Sequence, residues 1–317
     1  AISRRGLLRH IFGGQMMLGK ALRAMVDLFS KTFDTWGRHE PDLHATALAY
    51  TAIFSLAPLL LLVLIIAGQA FQSVLPNAIL IFIQSLAGQA TGIFVRDLMV
   101  SLQTSQSTAA ATWISFLFLL WGASGLVLRL RASLNTMWDL TPKPAPLRWS
   151  ILSQIQQKVI SGLVVILFGF LIWFGLIAGT LWSAFYGRLQ QGLLNIGVAL
   201  PVPSGWFIPL IYVLLFTAMF KTLPQAKIRW RDVLPGAMLT ALLFSGGGFV
   251  INLYLSNFFL TSVYGAAGST ILFLLWIYYS AFIILFGAEF TFVYANQYGE
   301  AIVPNSDMMF KSSVSKE

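Results

Sequence analysis

The chain has 317 residues, of which 57% are hydrophobic and only 10% charged, and its mean hydropathy is +0.78. Soluble domains are about one quarter charged, so this composition excludes an ordinary soluble enzyme and predicts an all-α integral membrane protein. The chain has no cysteine, which excludes disulfides and thiolate metal sites, and its net charge of +9 matters less than where the basic residues lie.

Residues 1–44 form a basic segment, which we interpret as a retained cytoplasmic region because its apolar run is too short and too broken for a signal peptide. From Met16 to Trp36, apolar and charged residues alternate at helical spacing. This pattern predicts an N-terminal amphipathic helix that lies on anionic lipid headgroups.

Residues 45–298 are predicted to form one bundle of six transmembrane helices. The predicted spans are residues 45–67, 108–130, 159–184, 206–220, 233–255 and 267–296. Residues 71–107 are interrupted by polar side chains at every membrane-length window, so they predict external interfacial helices between the first two spans. The polar residues 299–317 predict a flexible cytoplasmic tail.

The basic residues predict the orientation of this bundle. If both termini are cytoplasmic, every Lys and Arg except Arg96 and Arg188 falls on the cytoplasmic side. Such an asymmetry is the usual sign of orientation in helical membrane proteins. We therefore expect a multi-pass protein with both termini in the cytoplasm.

Two predicted helices contain residues that disturb a regular helix. Pro58 in the first span removes one amide donor, so a kink is expected there. Gly246, Gly247 and Gly248 in the fifth span cost on the order of 1 kcal/mol each relative to alanine. They predict either local unwinding or very close packing.

Glu289 is the one carboxylate embedded in a long apolar run, and burying it in lipid would be costly, so it should face protein. Gly287 and Thr291 lie on the opposite face, where another helix can approach closely. Glu289 is expected either to bind a proton, a cation or a cationic headgroup, or to form a structural ion pair with Arg129 or Arg131. Whichever arginine does not pair would reach lipid phosphate.

Eight polar side chains lie inside the predicted spans or at their cytoplasmic ends. They are the candidates for lining a polar path or for binding a lipid or an ion. They are Glu289, Arg129, Arg131, Tyr50, Ser55, Tyr278, Tyr279 and Asn252. The commoner role of a tyrosine in a span is a hydrogen bond to a neighbouring helix.

His39, Glu40, Asp42 and His44 form a cluster of metal-ligand residue types, but their spacing matches no usual zinc pattern. We interpret them as helix capping at the membrane surface. The eleven acidic residues are scattered and do not form the carboxylate cluster of a metal-dependent nuclease. The sequence therefore predicts no metal, no cofactor, no nucleic-acid partner and no enzymatic activity.

Four ordered stretches resemble the YihY/virulence factor BrkB family, and the resemblance covers residues 40–298. They read ALAYTAIFSLAPLLLL (Ala47 to Leu62), WGASGLVLRLRASLNTMWD (Trp121 to Asp139), LPGAMLTALLF (Leu234 to Phe244) and LLWIYYSAFIILFGAEFTFVYA (Leu274 to Ala295). The resemblance implies a bacterial inner-membrane protein of six helices. That family was once labelled a ribonuclease and is now mostly described as a transporter or a factor in envelope function.

The function expected from these observations is a transporter or a translocator of lipids or other amphiphiles in the cell envelope. The alternative is a membrane scaffold for envelope assembly that transports nothing, and a tRNA-processing ribonuclease is the least favoured reading. The expected partners are membrane lipids, with envelope proteins or a second copy of the chain as further candidates.

Overall fold

The computed structural model describes residues 23–70, 80, 84, 92–97, 99–100, 125–144, 179, 181–182, 184–191, 208–257 and 266–311. At residues 56–70, 208, 249–257 and 266–269 it describes the backbone alone. Most of the predicted interfacial segment 71–107 and most of the second and third predicted spans lie outside the described residues.

The longer described helices are α1 (residues 23–38), α2 (Pro41–Ala70), α3 (125–137), α4 (Ile208–Thr222), α5 (Trp230–Asn257) and α6 (Ala266–Tyr298). Residues 92–97 and 184–191 are also helical. Helices α2, α4, α5 and α6 lie where the first, fourth, fifth and sixth spans were predicted. Within the described part of the chain, one helical stretch, Thr270–Tyr298, is long and apolar enough to cross a membrane, and Pro209–Thr222 is a shorter apolar helix.

Helices α5 and α6 pack through two small-residue pairs. A Cβ atom on Gly236 would lie 1.8 Å from Oγ1 of Thr291, and one on Gly287 would lie 1.7 Å from Oγ1 of Thr240. Each threonine hydroxyl donates to the carbonyl of the glycine four residues earlier in its own helix, at 2.7 Å. The hydroxyls are thus satisfied within their helices, and the glycines let the two backbones approach. This contact confirms the close-packing face predicted around Gly287 and Thr291.

The three consecutive glycines do not break α5, which is helical from Trp230 to Asn257. Of the two predicted alternatives, local unwinding is therefore wrong, and close packing is correct at Gly247. A Cβ atom there would lie 1.3 Å from the hydroxyl oxygen of Tyr279, whereas one on Gly246 would meet nothing within 4 Å. The tyrosine from α6 occupies the space that a side chain at position 247 would need.

The expected loose tail is instead paired over residues 303–310 with the segments that follow α3 and α4. Strand β1 (Leu140–Pro142) pairs antiparallel with β4 (Met308–Phe310), and β2 (Ala226–Lys227) pairs antiparallel with β3 (Val303–Pro304). Ile302 and Met308 are buried in the main core, and their burial stabilises the strand pairing. The sequence prediction missed this because most of the tail is polar.

Four basic segments that were predicted to share one side of the membrane contact one another. The residues after α1 and after α3 meet at His39 and Asp139. The tail reaches the loop before β1 through β4, and it reaches the loop between α4 and α5 through β3 and an Arg229–Glu300 ion pair of 2.5 Å. These segments therefore lie at the same end of the bundle.

The distribution of polarity is that expected of a protein surrounded by lipid. Large apolar side chains are exposed along α4 and α5: Leu210, Leu214, Leu234, Met238 and Leu242. Thr240, Ser280, Glu289 and Thr291 are buried between helices. Since water-soluble proteins bury the first kind of residue and expose the second, the outer face of this bundle is suited to acyl chains.

Candidate functional site

The centre of the candidate site is a histidine held between two carboxylates. Nδ1 of His39 lies 2.9 Å from Oε2 of Glu289, and Nε2 of the same ring lies 3.2 Å from Oδ1 of Asp139. Because each ring nitrogen faces a carboxylate oxygen, a doubly protonated imidazolium can donate one hydrogen bond in each direction. We call these three residues the carboxylate–histidine array.

His39 is placed by the junction between α1 and α2. Its amide donates to the Trp36 carbonyl at 3.1 Å as α1 ends, Glu40 adopts a left-handed φ of 47°, and Pro41 begins α2. Proline suits the first turn of a helix because its missing N–H would have no partner there. The sharp change of direction leaves the imidazole pointing toward α6.

Asp139 is held in a similar way at the end of α3. Its φ of 54° is also left-handed, its amide donates to the Thr136 carbonyl at 3.0 Å, and its carbonyl accepts from the amide of Lys311 at 2.8 Å. A non-glycine residue in this conformation costs on the order of 1 kcal/mol, so it persists where surrounding contacts require it. His39 and Asp139 are thus both held in place by helix ends that include a left-handed residue, Glu40 next to His39 and Asp139 itself.

Helix α1 packs along α6 and covers the array from one side. The aromatic pairs Phe29–Phe290, Phe33–Phe286 and Trp36–Phe282 have ring centroids 5.4, 5.0 and 4.5 Å apart, and their order shows that the two helices are antiparallel. The expectation that this helix would only lie on headgroups is therefore corrected. Its aromatic face is committed to α6.

Glu289 is fully buried, which confirms that it faces protein, and its second oxygen, Oε1, has no hydrogen-bond partner among the described residues. Thr35 lies nearby, but its hydroxyl donates to the Lys31 carbonyl at 2.9 Å. A buried carboxylate oxygen without a donor is costly. It therefore marks a point where a proton, a water or a ligand group would be favourable.

The two carboxylates of the array stabilise a positive charge on His39. Burial alone lowers the pKa of His39, but the hydrogen bonds and negative charges of Asp139 and Glu289 outweigh it, and the pKa rises from 6.5 to about 9. The hydrogen bond from His39 and the positive charge of Lys311 hold the pKa of Asp139 below its usual value. At neutral pH, His39 is therefore charged.

The two arginines predicted to pair with Glu289 do not contact it. Arg129 is exposed, while Arg131 is only 5% exposed and its Nε has no hydrogen-bond partner among the described residues. Glu289 does form an ion pair, as predicted, but with His39 and not with either arginine. His39 takes that position because the α1–α2 junction, rather than α3, reaches the buried face of α6.

The other predicted path residues are dispersed. Tyr50 is 65% exposed, beside Phe54 on α2, whereas Ser55 is buried and donates to the Ala52 carbonyl at 2.9 Å. Tyr278 stacks on Phe282. Tyr279 occupies the gap at Gly247, with its hydroxyl 3.5 Å from the Leu243 carbonyl. The side chains of Asn252 and Pro58 lie outside the described residues.

Two of the three array residues were missed as site residues by sequence reasoning. His39 was assigned to capping, and Asp139 was given no role beyond the end of a stretch that resembles the family. One signal was available: His39 and His44 are two of only three histidines in the chain, and His44 Nδ1 lies 3.0 Å from Oγ of Ser133 on α3. Both histidines at this junction therefore reach across to another helix.

Among the described residues, no three His, Asp or Glu side chains are arranged to hold a metal ion.

A groove of about 320 Å³ opens between α1 and α6 next to the array. One wall comes from α1 and carries both charges and a hydroxyl, and the other comes from α6 on the face that also bears Glu289. Its lining residues are Lys31, Asp34, Thr35, Arg38, Phe292, Val293, Asn296 and Gln297. The groove thus combines cationic, amide and apolar surface within one opening.

Comparison with known proteins gives one family. The family profile of virulence factor BrkB matches residues 32–309. UPF0761 membrane proteins of Pseudomonas paraeruginosa and Bordetella petrii are 29% and 28% identical to the chain, covering 77% of it in each case and 57% and 52% of their own lengths. A Bacillus subtilis protein, whose name describes it only as ribonuclease-like, is 24% identical over 83% of this chain and 94% of its own.

The chain spans little more than half the length of the Pseudomonas and Bordetella relatives. No solved structure matches it.

Proposed function

Given that the chain belongs to the virulence factor BrkB family of membrane proteins, we propose that it is a translocator of amphiphilic molecules in the bacterial inner membrane. The observation that carries this proposal is Glu289. This carboxylate is fully buried on a long apolar helix, and its Oε1 has no partner among the described residues. Ionisable groups at such positions usually serve an ion or substrate pathway because their burial is costly.

The groove beside the array suggests the chemistry of the transported molecule. Lys31 and Arg38 outnumber the one carboxylate, Asp34, on its α1 wall, so that wall carries net positive charge. Residues of α6 supply an amide and apolar surface: Asn296, Phe292 and Val293. This combination suits a molecule with an anionic headgroup and an apolar chain, since each part meets a complementary surface. An anionic phospholipid is the simplest member of this class.

The proposed orientation places the array and the groove at the cytoplasmic surface. All four of the basic segments that share one end of the bundle contact one another there, and anionic lipids and basic residues both concentrate on that side of bacterial inner membranes. The proposal retains six spans with both termini in the cytoplasm. The groove would then load from the inner leaflet.

The test is lipid movement in vesicles that contain the purified full chain. We expect the wild type to move a fluorescent phosphatidylglycerol between leaflets, as measured by quenching of the outer-leaflet label. Glu289→Gln should abolish movement, because it removes the buried charge while keeping the side-chain size. Glu300→Gln is the matched control, since that carboxylate is exposed and pairs with Arg229 outside the groove.

Movement that survives in Glu289→Gln would overturn the role of Glu289. Absence of movement in the wild type would overturn the translocator and favour the scaffold alternative.

We propose a tRNA-processing ribonuclease as the least favoured function. Metal-dependent phosphodiester hydrolysis would need carboxylates or histidines gathered around a metal ion, and none are so arranged among the described residues. Incubation of RNA with the purified protein and Mg²⁺ is the direct check. Cleavage that Glu289→Gln or Asp139→Asn reduces would contradict this view.

A further inference from the structure

We propose that the carboxylate–histidine array is a proton relay, through which the buried Glu289 exchanges protons with the cytoplasm by way of His39 and Asp139. This inference goes beyond the proposed function, because proton exchange at Glu289 can be measured whether or not the protein moves lipid. It rests on the order of the three side chains, their distances and their graded exposure.

The exposure of the array falls steadily from one end to the other. The side chain of Asp139 is 41% exposed, that of His39 is 11% exposed and that of Glu289 is wholly buried. Asp139 can therefore take a proton directly from water, whereas Glu289 cannot. The imidazole is the one described group that touches both carboxylates.

The transfer balances in protons. At neutral pH the array holds two protons, as an imidazolium between two carboxylates. Release passes the Nε2 proton through Asp139 to the cytoplasm and leaves His39 neutral, with Nδ1 donating to Glu289. Uptake returns a proton through Asp139 to Nε2 while the Nδ1 proton passes to Oε2 of Glu289. Glu289 is then a neutral acid, and the imidazole is neutral with Nε2 donating to Asp139.

The imidazolium between two carboxylates is the resting form of the array, and the site stabilises it. Its hydrogen bonds raise the pKa of His39 to about 9, so this form is populated at neutral pH. Both ring protons then already lie on hydrogen bonds to the carboxylates between which the relay moves them. Oε1 of Glu289 has no hydrogen-bond partner among the described residues, so it is the carboxyl oxygen at which a proton is open to the protein interior.

Other charged groups near the array set its balance. Arg38 on α1 and Lys311 after β4 act on Asp139 through their positive charge. The two cations favour an ionised Asp139 that releases its proton onward. Burial and the charge of Arg129 lower the pKa of His44 on α2 against the opposing charge of Glu40, so His44 adds no positive charge beside His39 at neutral pH.

The geometry of the array is also fixed more firmly than ordinary loops would allow. Both His39 and Asp139 adjoin or occupy a left-handed position at a helix end, and the backbone of Asp139 is bonded to the tail at Lys311. Proton transfer depends steeply on distance, so rigid placement favours it.

The experiment follows the carboxyl stretching band of Glu289 by infrared spectroscopy in the purified full chain. The band is assigned by its loss in Glu289→Gln, and its shift after rapid mixing with D₂O reports proton exchange. We expect fast exchange in the wild type and in the exposed-carboxylate control Glu300→Gln. In Asp139→Asn and His39→Gln, exchange should slow on the order of a hundredfold, the usual effect of losing a proton-transfer group.

Exchange at the wild-type rate in both variants would overturn the relay, and so would a Glu289 that carries no proton at any pH at which the protein stays folded. Asp139→Asn keeps a hydrogen-bond acceptor at a part-exposed position, so it remains informative if His39→Gln does not fold. If the vesicles move no lipid but exchange requires His39, the relay stands and the translocator fails. If lipid moves while the exchange rate does not depend on His39, the translocator stands and the relay fails.

Discussion

The imidazole of His39 lies 2.9 Å from the carboxylate of Glu289, although 250 residues separate them in the chain. This contact joins the α1–α2 junction to the last long helix, and the second ring nitrogen joins both to the end of α3 through Asp139. One side chain therefore links three parts of the chain that are distant in sequence.

Replacing His39 by Gln should destabilise the protein by about 3 to 5 kcal/mol, because it leaves the buried Glu289 without its cationic partner. Glu289→Gln alone should cost less, since it removes the buried charge itself. In the double variant the loss should be smaller than the sum of the two single losses, as expected for directly interacting residues. Thermal unfolding of the detergent-purified proteins measures all three. Additive losses would show that the two side chains are energetically independent.

The stability should also depend on pH through His39. Its pKa is 6.5 when unfolded and about 9 when folded, so its contribution is fully present below pH 6.5 and is lost as the pH rises through about 9. We expect the melting temperature of the wild type to fall between these values and that of His39→Gln to fall less. Melting curves recorded across this range provide the check, and parallel curves for the two proteins would refute it.

Gly247→Ala should destabilise the bundle by about 1 to 3 kcal/mol, because its methyl group would overlap the hydroxyl of Tyr279 and force a shift. Gly246→Ala provides a matched control in the same helix. A Cβ atom there meets nothing within 4 Å, so that variant should gain up to about 1 kcal/mol from helix propensity. Unfolding of the two variants under identical conditions gives the comparison. Equal effects would mean that helix propensity, and not the tyrosine, explains the glycines.

Lys31→Gln should slow movement of the anionic lipid probe by roughly two- to fivefold while leaving a zwitterionic probe unaffected, the size of effect expected from one exposed charge contact. Lys31 pairs on the surface with Asp27 at 2.8 Å, so the fold should tolerate the change. Lys227→Gln, on the exposed side of β2 and outside the groove, is the control. If both probes slow equally in the Lys31 variant, the groove does not select charge.

Sequence reasoning worked where one helix by itself carries the information. Glu289 was predicted to face protein because it lies in a long apolar run, and it is fully buried. Helical spacing placed Gly287 and Thr291 on the opposite face of α6, where α5 packs. Helical periodicity is local, so it can be read without knowing the fold.

Sequence reasoning failed where a partner had to be chosen. Arginine is the usual partner of a buried carboxylate, and Arg129 and Arg131 lie at a suitable depth, but neither contacts Glu289. The glycine triplet was ambiguous for a similar reason, because only the position of Tyr279 distinguishes close packing from unwinding.

The sequence alone determined that the protein is helical and apolar enough for a membrane, and that Glu289 must be shielded by protein, because composition and helical spacing are properties of short stretches. Only the tertiary structure decided that His39 and Asp139 complete the site and that residues 303–310 pair with the loops. Those contacts depend on where helices end and on the left-handed turns at Glu40 and Asp139, which orient side chains across distances that no local pattern encodes.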